Sequence, residues 1–274
     1  MLSSPPSADC QPGLREWIEM ASKKVRRNRT LIVIAVIALA IWGFVSCSSQ
    51  GQKTADGGPF APALATPPHA EGLTLDQLAN SAIAELPDPT WVKETAQQTG
   101  IPERALTAYA GVAIGLSVVD PECHLSWNTL AGIGWVESHH GTIFGGKILP
   151  NGNMSEPIFG IPLDGKNDTK ALPDFDDGNF DGTAEFDRAV GPMQIVPPTW
   201  AAWHNDGNND GNEDGQNIDD SALAAGRYLC YSGGDLSTPQ GWQDAVYGYN
   251  QVPKYMVDVA NKANEYASKV PASS

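Results

Sequence analysis

The run L-A-G-I-G-W-V (Leu130 to Val136) leads directly into E-S-H-H-G (Glu137 to Gly141). Apolar side chains fill it almost without a break, as in a helix buried on most sides, and Ser126 offers a cap for its start. A carboxylic acid in the last turn of such a helix is costly unless it has a use. The desolvation that raises its pKa is also what a general acid requires to stay protonated near neutral pH. Alone, a helical Glu is usually a solvated surface residue. Glu137 gains weight from two later segments, G-P-M-Q-I-V-P-P-T-W (Gly191 to Trp200) and Y-N (Tyr249, Asn250).

Outward from this helix the pattern predicts a mainly α chain. Apolar residues at three- and four-residue spacing predict helix over Leu73 to Leu86, and an Ala-rich stretch opening with Pro predicts another over Pro102 to Ile114. Further helices are expected over Pro197 to His204, Asp219 to Cys230, Trp242 to Asn250 and Pro253 to Ala267. Between Gly141 and Arg188 the periodicity fails. Gly, Pro, Asp and Asn dominate, and only Lys147 to Leu149 and Ile158 to Leu163 read as brief strands. A long irregular insertion of this kind tends to be functional, for example as one wall of a cleft. No internal repeat is evident.

The formal charge of -15 is unevenly spread: residues 1–29 hold six basic and three acidic side chains, leaving 11 basic against 29 acidic. So acidic a remainder would repel phosphates, which argues against nucleic acid as a partner. The basic cluster K-K-V-R-R-N-R (Lys23 to Arg29) precedes an uncharged run of 17 residues, Leu31 to Cys47. This is positive-inside geometry: residues 1–29 in the cytoplasm, 30–47 in or through the membrane, the rest outside. An uncleaved signal-anchor, a cleaved signal peptide, and a lipoprotein signal with F-V-S-C (Phe44 to Cys47) all fit, and all export the remainder of the chain. Residues 48–72 are small and Pro/Gly-rich and read as a flexible tether spanning roughly 25–30 Å. The globular domain is then expected over 73–274.

Export makes the cysteines legible. Cys10 falls in the cytoplasm and Cys47 at the membrane edge, leaving Cys123 and Cys230 as the pair outside. An oxidising compartment favours a bridge between them over two buried thiols, worth about 4–5 kcal/mol in the chain-entropy model.

In order along the chain, E-S-x-x-G, G-P-M-Q-x-x-P-x-T-W, an Asp/Gly/Asn loop, Y-L-C and Y-N resemble the lytic murein transglycosylases of the membrane-bound B type. R-A-V-G-P-M-Q and I-D-D-S-A-L-A-A-G-R-Y-L-C are similar to the actinobacterial branch. The resemblance covers about Pro102 to Ala267. It implies a lysozyme-like domain with an irregular, short-strand insertion, cleaving the MurNAc–GlcNAc β-1,4 bond of peptidoglycan without a catalytic cofactor. Glu137 matches the single catalytic acid. Gln194 would lie near it, Met193 would form apolar floor, and Tyr228, Tyr249 and Asn250 would line sugar subsites. The tyrosines equally suit a core, and Ser138 either a helix end or the substrate. Ile195 and Gln251 to Pro253 depart from the family pattern, which bears on subsite preference. His139 and His140 lack partners for a metal or nucleophilic site and read as cleft-edge or solvent residues. Glycan strands, the membrane and cell-wall synthesis or division proteins are the implied partners.

Two other functions remain open. Asp174, Asp176, Asp177, Asp181 or Asp187 could supply the second carboxylate of a lysozyme-type hydrolase, or the domain could be a non-catalytic wall-binding scaffold. Finally, D-G-N-N-D-G-N-E-D-G-Q-N-I-D-D (Asp206 to Asp220) reads as an EF-hand-like loop. Asp206, Asn208 and Asp210 occupy positions 1, 3 and 5, Gly211 position 6 and Asn212 position 7. Asn217 stands at position 12 and cannot give a bidentate carboxylate; the resemblance implies a longer loop closed by Asp220. A structural calcium is expected there, against the alternative of a solvated polar loop. Twelve acidic residues against one Arg between Asp174 and Asp220 favour the cation.

Overall fold

In the computed structural model, residues 58–166 and 169–270 are described, and they form a mainly helical unit beginning at Gly58. Eight α-helices occur among them: α1 Leu75–Leu78, α2 Pro89–Thr99, α3 Glu103–Val119, α4 Trp127–Ser138, α5 Pro197–Trp203, α6 Ile218–Gly233, α7 Pro239–Tyr249 and α8 Pro253–Lys269. The N-terminal run Leu31 to Cys47 lies outside the described residues, within which no helix is long and apolar enough to cross a membrane.

The centre is α3, whose residues from Ala108 to Leu116 are all buried. Around it pack α2, α4 and α6, with α7 against α6 and α8 along α4. The α4–α8 approach is close because of Gly132: a Cβ there would sit 2.9 Å from the Val259 carbonyl oxygen. The same contact brings the end of α4 beside the start of α8. Proline opens α2, α5, α7 and α8, where its missing N–H costs nothing.

The helix expected over Leu73 to Leu86 is instead a single turn, α1, and a separate 3-10 turn at Ile83–Glu85. Local side-chain bonds end α1: Asn80 Nδ2 donates to the Asp76 carbonyl (2.6 Å) and the Ser81 hydroxyl to that of Gln77 (3.0 Å). The Ile83 N–H is taken by the Gly207 carbonyl (2.9 Å), a tertiary bond no local pattern foresees. Conversely α2 carries clear local signals, an Asp88 cap bonded to the Trp91 N–H (2.9 Å) and left-handed Gly100 at its end.

Residues 58–72, expected as tether, pack onto the domain. Ala61 is fully buried, Phe60 meets Trp242 edge-on, and the Leu64 N–H donates to Ser126 Oγ (3.0 Å). Ser126 does occupy the cap position of α4, yet its side chain serves this contact rather than the helix. The two strands expected in the insertion are only isolated bridges, Ile148 with Met154 and Phe159 with Val190. Dense Gly and Asx turns there satisfy backbone groups locally instead of in ladders.

Candidate active site

Glu137 lies in the last turn of α4, half-buried, and its Oε1 accepts a hydrogen bond from the Tyr255 hydroxyl of α8. Burial pushes its carboxyl from the ordinary 4.5 up to about 7, a rise the Tyr255 bond partly offsets. Tyr255 is itself buried, and burial followed by the nearby Glu137 charge holds its phenol well above the usual range. The pair therefore presents a neutral donor against an acid poised near neutrality. Nothing in the sequence singles out Tyr255, because its position on an amphipathic helix looks like ordinary core.

Directly after α4 the chain turns through three left-handed residues, His139 (φ 50°), His140 (φ 56°) and Gly141 (φ 80°). Two consecutive non-glycine residues in this region are costly, and the surroundings must hold them there. Ser138 is one restraint: its Oγ donates to the Pro192 carbonyl (2.6 Å) and accepts from the Gly141 N–H (2.7 Å). Ser138 has no exposed surface, so its place is beneath the site, tying α4 to the Gly-Pro-Met-Gln segment. His140 is the other restraint and corrects the solvent-edge expectation. It is buried between the hydroxyls of Tyr109 (3.2 Å) and Tyr266 (2.8 Å), and burial lowers its pKa to about 3. His139, by contrast, is exposed, its ring 4.4 Å from that of Trp135.

The Gly191 to Gln194 turn is set by close packing. Gly191 is left-handed (φ 76°), and a Cβ on it would lie 1.8 Å from the Gly215 carbonyl oxygen. Met193 is fully buried, as a floor would be, and its carbonyl accepts from the Tyr249 hydroxyl (2.7 Å). Gln194 is left-handed too (φ 49°), with its amide nitrogen on the Gly191 carbonyl (2.9 Å).

Tyr249 stacks parallel to Tyr255 (6.4 Å, 6°) and lies 6.0 Å from Tyr228, whose hydroxyl is spent on the Gly248 carbonyl (2.7 Å). Both hydroxyls being committed to backbone, these residues offer ring faces and edges. A groove of about 640 Å³ is lined by Gln194, Tyr228, Tyr249 and Asn250 together with Leu163 and Leu172 of the insertion. Glu137 is not among the groove's lining residues; it connects to them through the Tyr255–Tyr249 stack.

Asp206 to Asp220 bridges α5 and α6. Asp206 Oδ1 and Oδ2 accept from the N–H groups of Asp210 (3.0 Å) and Gly211 (2.8 Å), and Asn208 Oδ1 from that of Asp210 (3.0 Å). Asp210 Oδ1 accepts from the Asn212 N–H (2.8 Å). Asp220 is fully buried and gathers the N–H groups of Gly207, Asn208 and Asp214 (2.7, 3.2 and 2.8 Å). These bonds wind the loop around its own acids. A carboxylate has about four lone-pair positions, more than these bonds use, but among the described residues the carboxylates of Asp206, Asp210 and Asp220 do not converge as a three-acid cluster.

Cys123 and Cys230 are bridged, with Cα atoms 5.3 Å apart. The bond anchors the segment before α4 to α6. No protein-family model, no curated protein and no solved structure matches the chain.

Proposed function

We propose that this chain is a peptidoglycan lytic transglycosylase of lysozyme-like fold, cutting the MurNAc–GlcNAc β-1,4 bond and leaving 1,6-anhydro-muramyl ends. The observation that carries this reading is Glu137: one carboxyl whose pKa is pushed up to about 7, held by Tyr255 beside an aromatic-lined groove. An acid titrating near neutrality is protonated often enough to donate and basic enough to take a proton back.

Glu137 would protonate the leaving glycosidic oxygen while the substrate's own 2-acetamido group stabilises the oxocarbenium-like centre. The resulting carboxylate would then accept the proton of the muramyl C6 hydroxyl as that oxygen closes onto C1. Ring closure uses a nucleophile already attached, an entropic advantage over capture of water. The rings of Tyr228 and Tyr249 suit sugar faces, and the amides of Gln194 and Asn250 suit hydroxyls. The N-terminal segment would hold the chain at the membrane with this domain outside, and calcium would serve structurally in the Asp206 to Asp220 loop.

The hydrolase reading needs a second carboxylate opposite Glu137. Asp174, Asp176 and Asp187 instead converge on one another, Asp181 spends both oxygens on the Thr183 and Arg188 N–H groups, and Asp177 is exposed, without the burial that raises the Glu137 carboxyl. This arrangement favours the single-acid mechanism. The test is to digest purified sacculi with the full-length chain and identify the released muropeptides by mass spectrometry. Anhydro ends are expected; reducing ends would assign a hydrolase, and no release would leave the scaffold reading.

A further inference from the structure

The insertion between α4 and α5 contains D-F-D-D-G-N-F-D (Asp174 to Asp181), followed by Asp187. Carboxylate oxygens of Asp174, Asp176 and Asp187 lie within 4.8 Å of one another. Two oxygens held at about 2.4 Å from one ion are at most about 4.8 Å apart, so the three are within reach of a single calcium-sized cation. Proximity of acids alone proves little. What singles this cluster out is its unused acceptors.

Asp187 has no exposed surface; its Oδ1 accepts from the Phe175 N–H (3.0 Å), while its Oδ2 is buried without a partner. Asp176 repeats the pattern, with Oδ2 accepting from the Phe180 N–H (3.0 Å) and Oδ1 buried and unpartnered. Asp174 is bonded through both oxygens, to the N–H groups of Asp177 and Gly178 (2.9 Å each). The backbone thus fixes all three carboxylates and leaves two buried acceptors unanswered. A buried carboxylate oxygen without a donor is expensive, and among the described residues no Lys or Arg pairs with any of the three. The Arg188 guanidinium is turned instead to the Asp181 carbonyl and the Phe159 ring. Burial and the neighbouring charges of Asp181, Asp174 and Asp176 hold the Asp187 carboxyl above its usual range.

We propose that Asp174, Asp176 and Asp187 form a structural site for a divalent, oxygen-seeking cation of the calcium type. This site is separate from the Asp206 to Asp220 loop and does not depend on the catalytic reading. Its consequence for the groove comes through Asp187. The Asp187 carbonyl accepts from the Leu163 N–H (2.9 Å), and the Asp187 N–H donates to the Leu172 carbonyl (3.0 Å). Leu163 and Leu172 both line the groove. A cation on the Asp187 side chain therefore fastens the groove wall through that residue's backbone. The same segment carries Phe180, stacked on Trp200 (5.0 Å, 12°) and packed over Gly215, so the wall and the second acidic loop are braced together.

The experiment uses the purified full-length chain, stripped with chelator and titrated with CaCl₂ by calorimetry. Wild type is compared with Asp187→Asn, Asp176→Asn and the loop variant Asp220→Ala. Asp187→Asn and Asp176→Asn are each expected to lose one equivalent of bound calcium that Asp220→Ala retains. Asp187→Asn should also melt higher than wild type in chelator and lower in calcium, because the amide relieves charge crowding but forfeits the ion. A merely hydrogen-bonding aspartate would lower the melting temperature in both. Hydrogen exchange on wild type needs no variant: calcium should slow the amides of Leu163, Asp187 and Phe180. Binding of equal stoichiometry in wild type, Asp187→Asn and Asp176→Asn would overturn the proposal. So would unchanged exchange at those three amides.

Discussion

The Tyr255 hydroxyl donates to Glu137 Oε1 across 118 positions of sequence, joining the last turn of α4 to the first turn of α8. Burial alone would leave Glu137 a higher-pKa, weaker acid; the phenol stabilises the carboxylate and draws the value down toward about 7.

Replacing Glu137 by Gln is expected to abolish glycan cleavage, with a loss of at least about 10² to 10⁴ in rate, because one group serves as acid and then base. Its effect on stability depends on pH. With a folded pKa of about 7 above the ordinary 4.5, the native state binds the proton more tightly, so stability falls as pH rises from about 4.5 through 7. Gln avoids that penalty. Discounted for partial exposure, the gain at pH 8 is on the order of 2 kcal/mol, or roughly 4–8 °C in Tm, and vanishes near pH 4. Melting curves of both proteins at pH 4 and 8 check this; equal Tm differences at the two values would exclude a strained acid.

Tyr255→Phe removes the bond that lowers the Glu137 pKa. The alkaline limb of the cleavage–pH profile should move upward, by about one unit if the bond is worth about 1.5 kcal/mol to the carboxylate. A profile that keeps its limb while losing amplitude would assign Tyr255 to packing alone.

Opening the Cys123–Cys230 bridge should cost about 4–5 kcal/mol, since it closes a separation of 107 residues. Cys123→Ser with Cys230→Ser is expected to melt roughly 10 °C or more below wild type, measured by calorimetry. A drop of only a degree or two would mean that α3, α4 and α6 hold this region without help.

Millimolar calcium should raise the Tm by several degrees, and Asp220→Ala should remove the share due to the Asp206 to Asp220 loop. Asp220 gathers three backbone N–H groups from that loop, so its loss also loosens the loop without metal. The diagnostic quantity is therefore the calcium-dependent increment. An increment equal in Asp220→Ala and wild type would exclude the loop.

Local chemistry alone determined much of this protein. The helical class, α4 ending at Ser138, the helices around Asp219 to Cys230 and Pro253 to Ala267, and the Cys123–Cys230 pairing follow from periodicity, proline placement and cysteine count. These signals act within a few residues or survive simple elimination. Leu73 to Leu86 shows their limit: the helical spacing is real, but the Asn80 and Ser81 side chains close α1 after Leu78, and the Gly207 carbonyl takes the Ile83 N–H where the helix could have resumed. The partner of Glu137 was invisible for a related reason, since a buried tyrosine on an amphipathic helix has the same pattern whether or not its hydroxyl meets an acid. Burial of His140 between two phenols, and the turning of Ser138 toward Pro192 rather than the groove, were likewise decided by packing of distant elements. The acidic insertion shows both levels at once. Composition announced a surplus of carboxylates, but only the folded chain selected Asp176 and Asp187 as the two left with unanswered oxygens, because which backbone N–H groups reach them depends on how the loop closes.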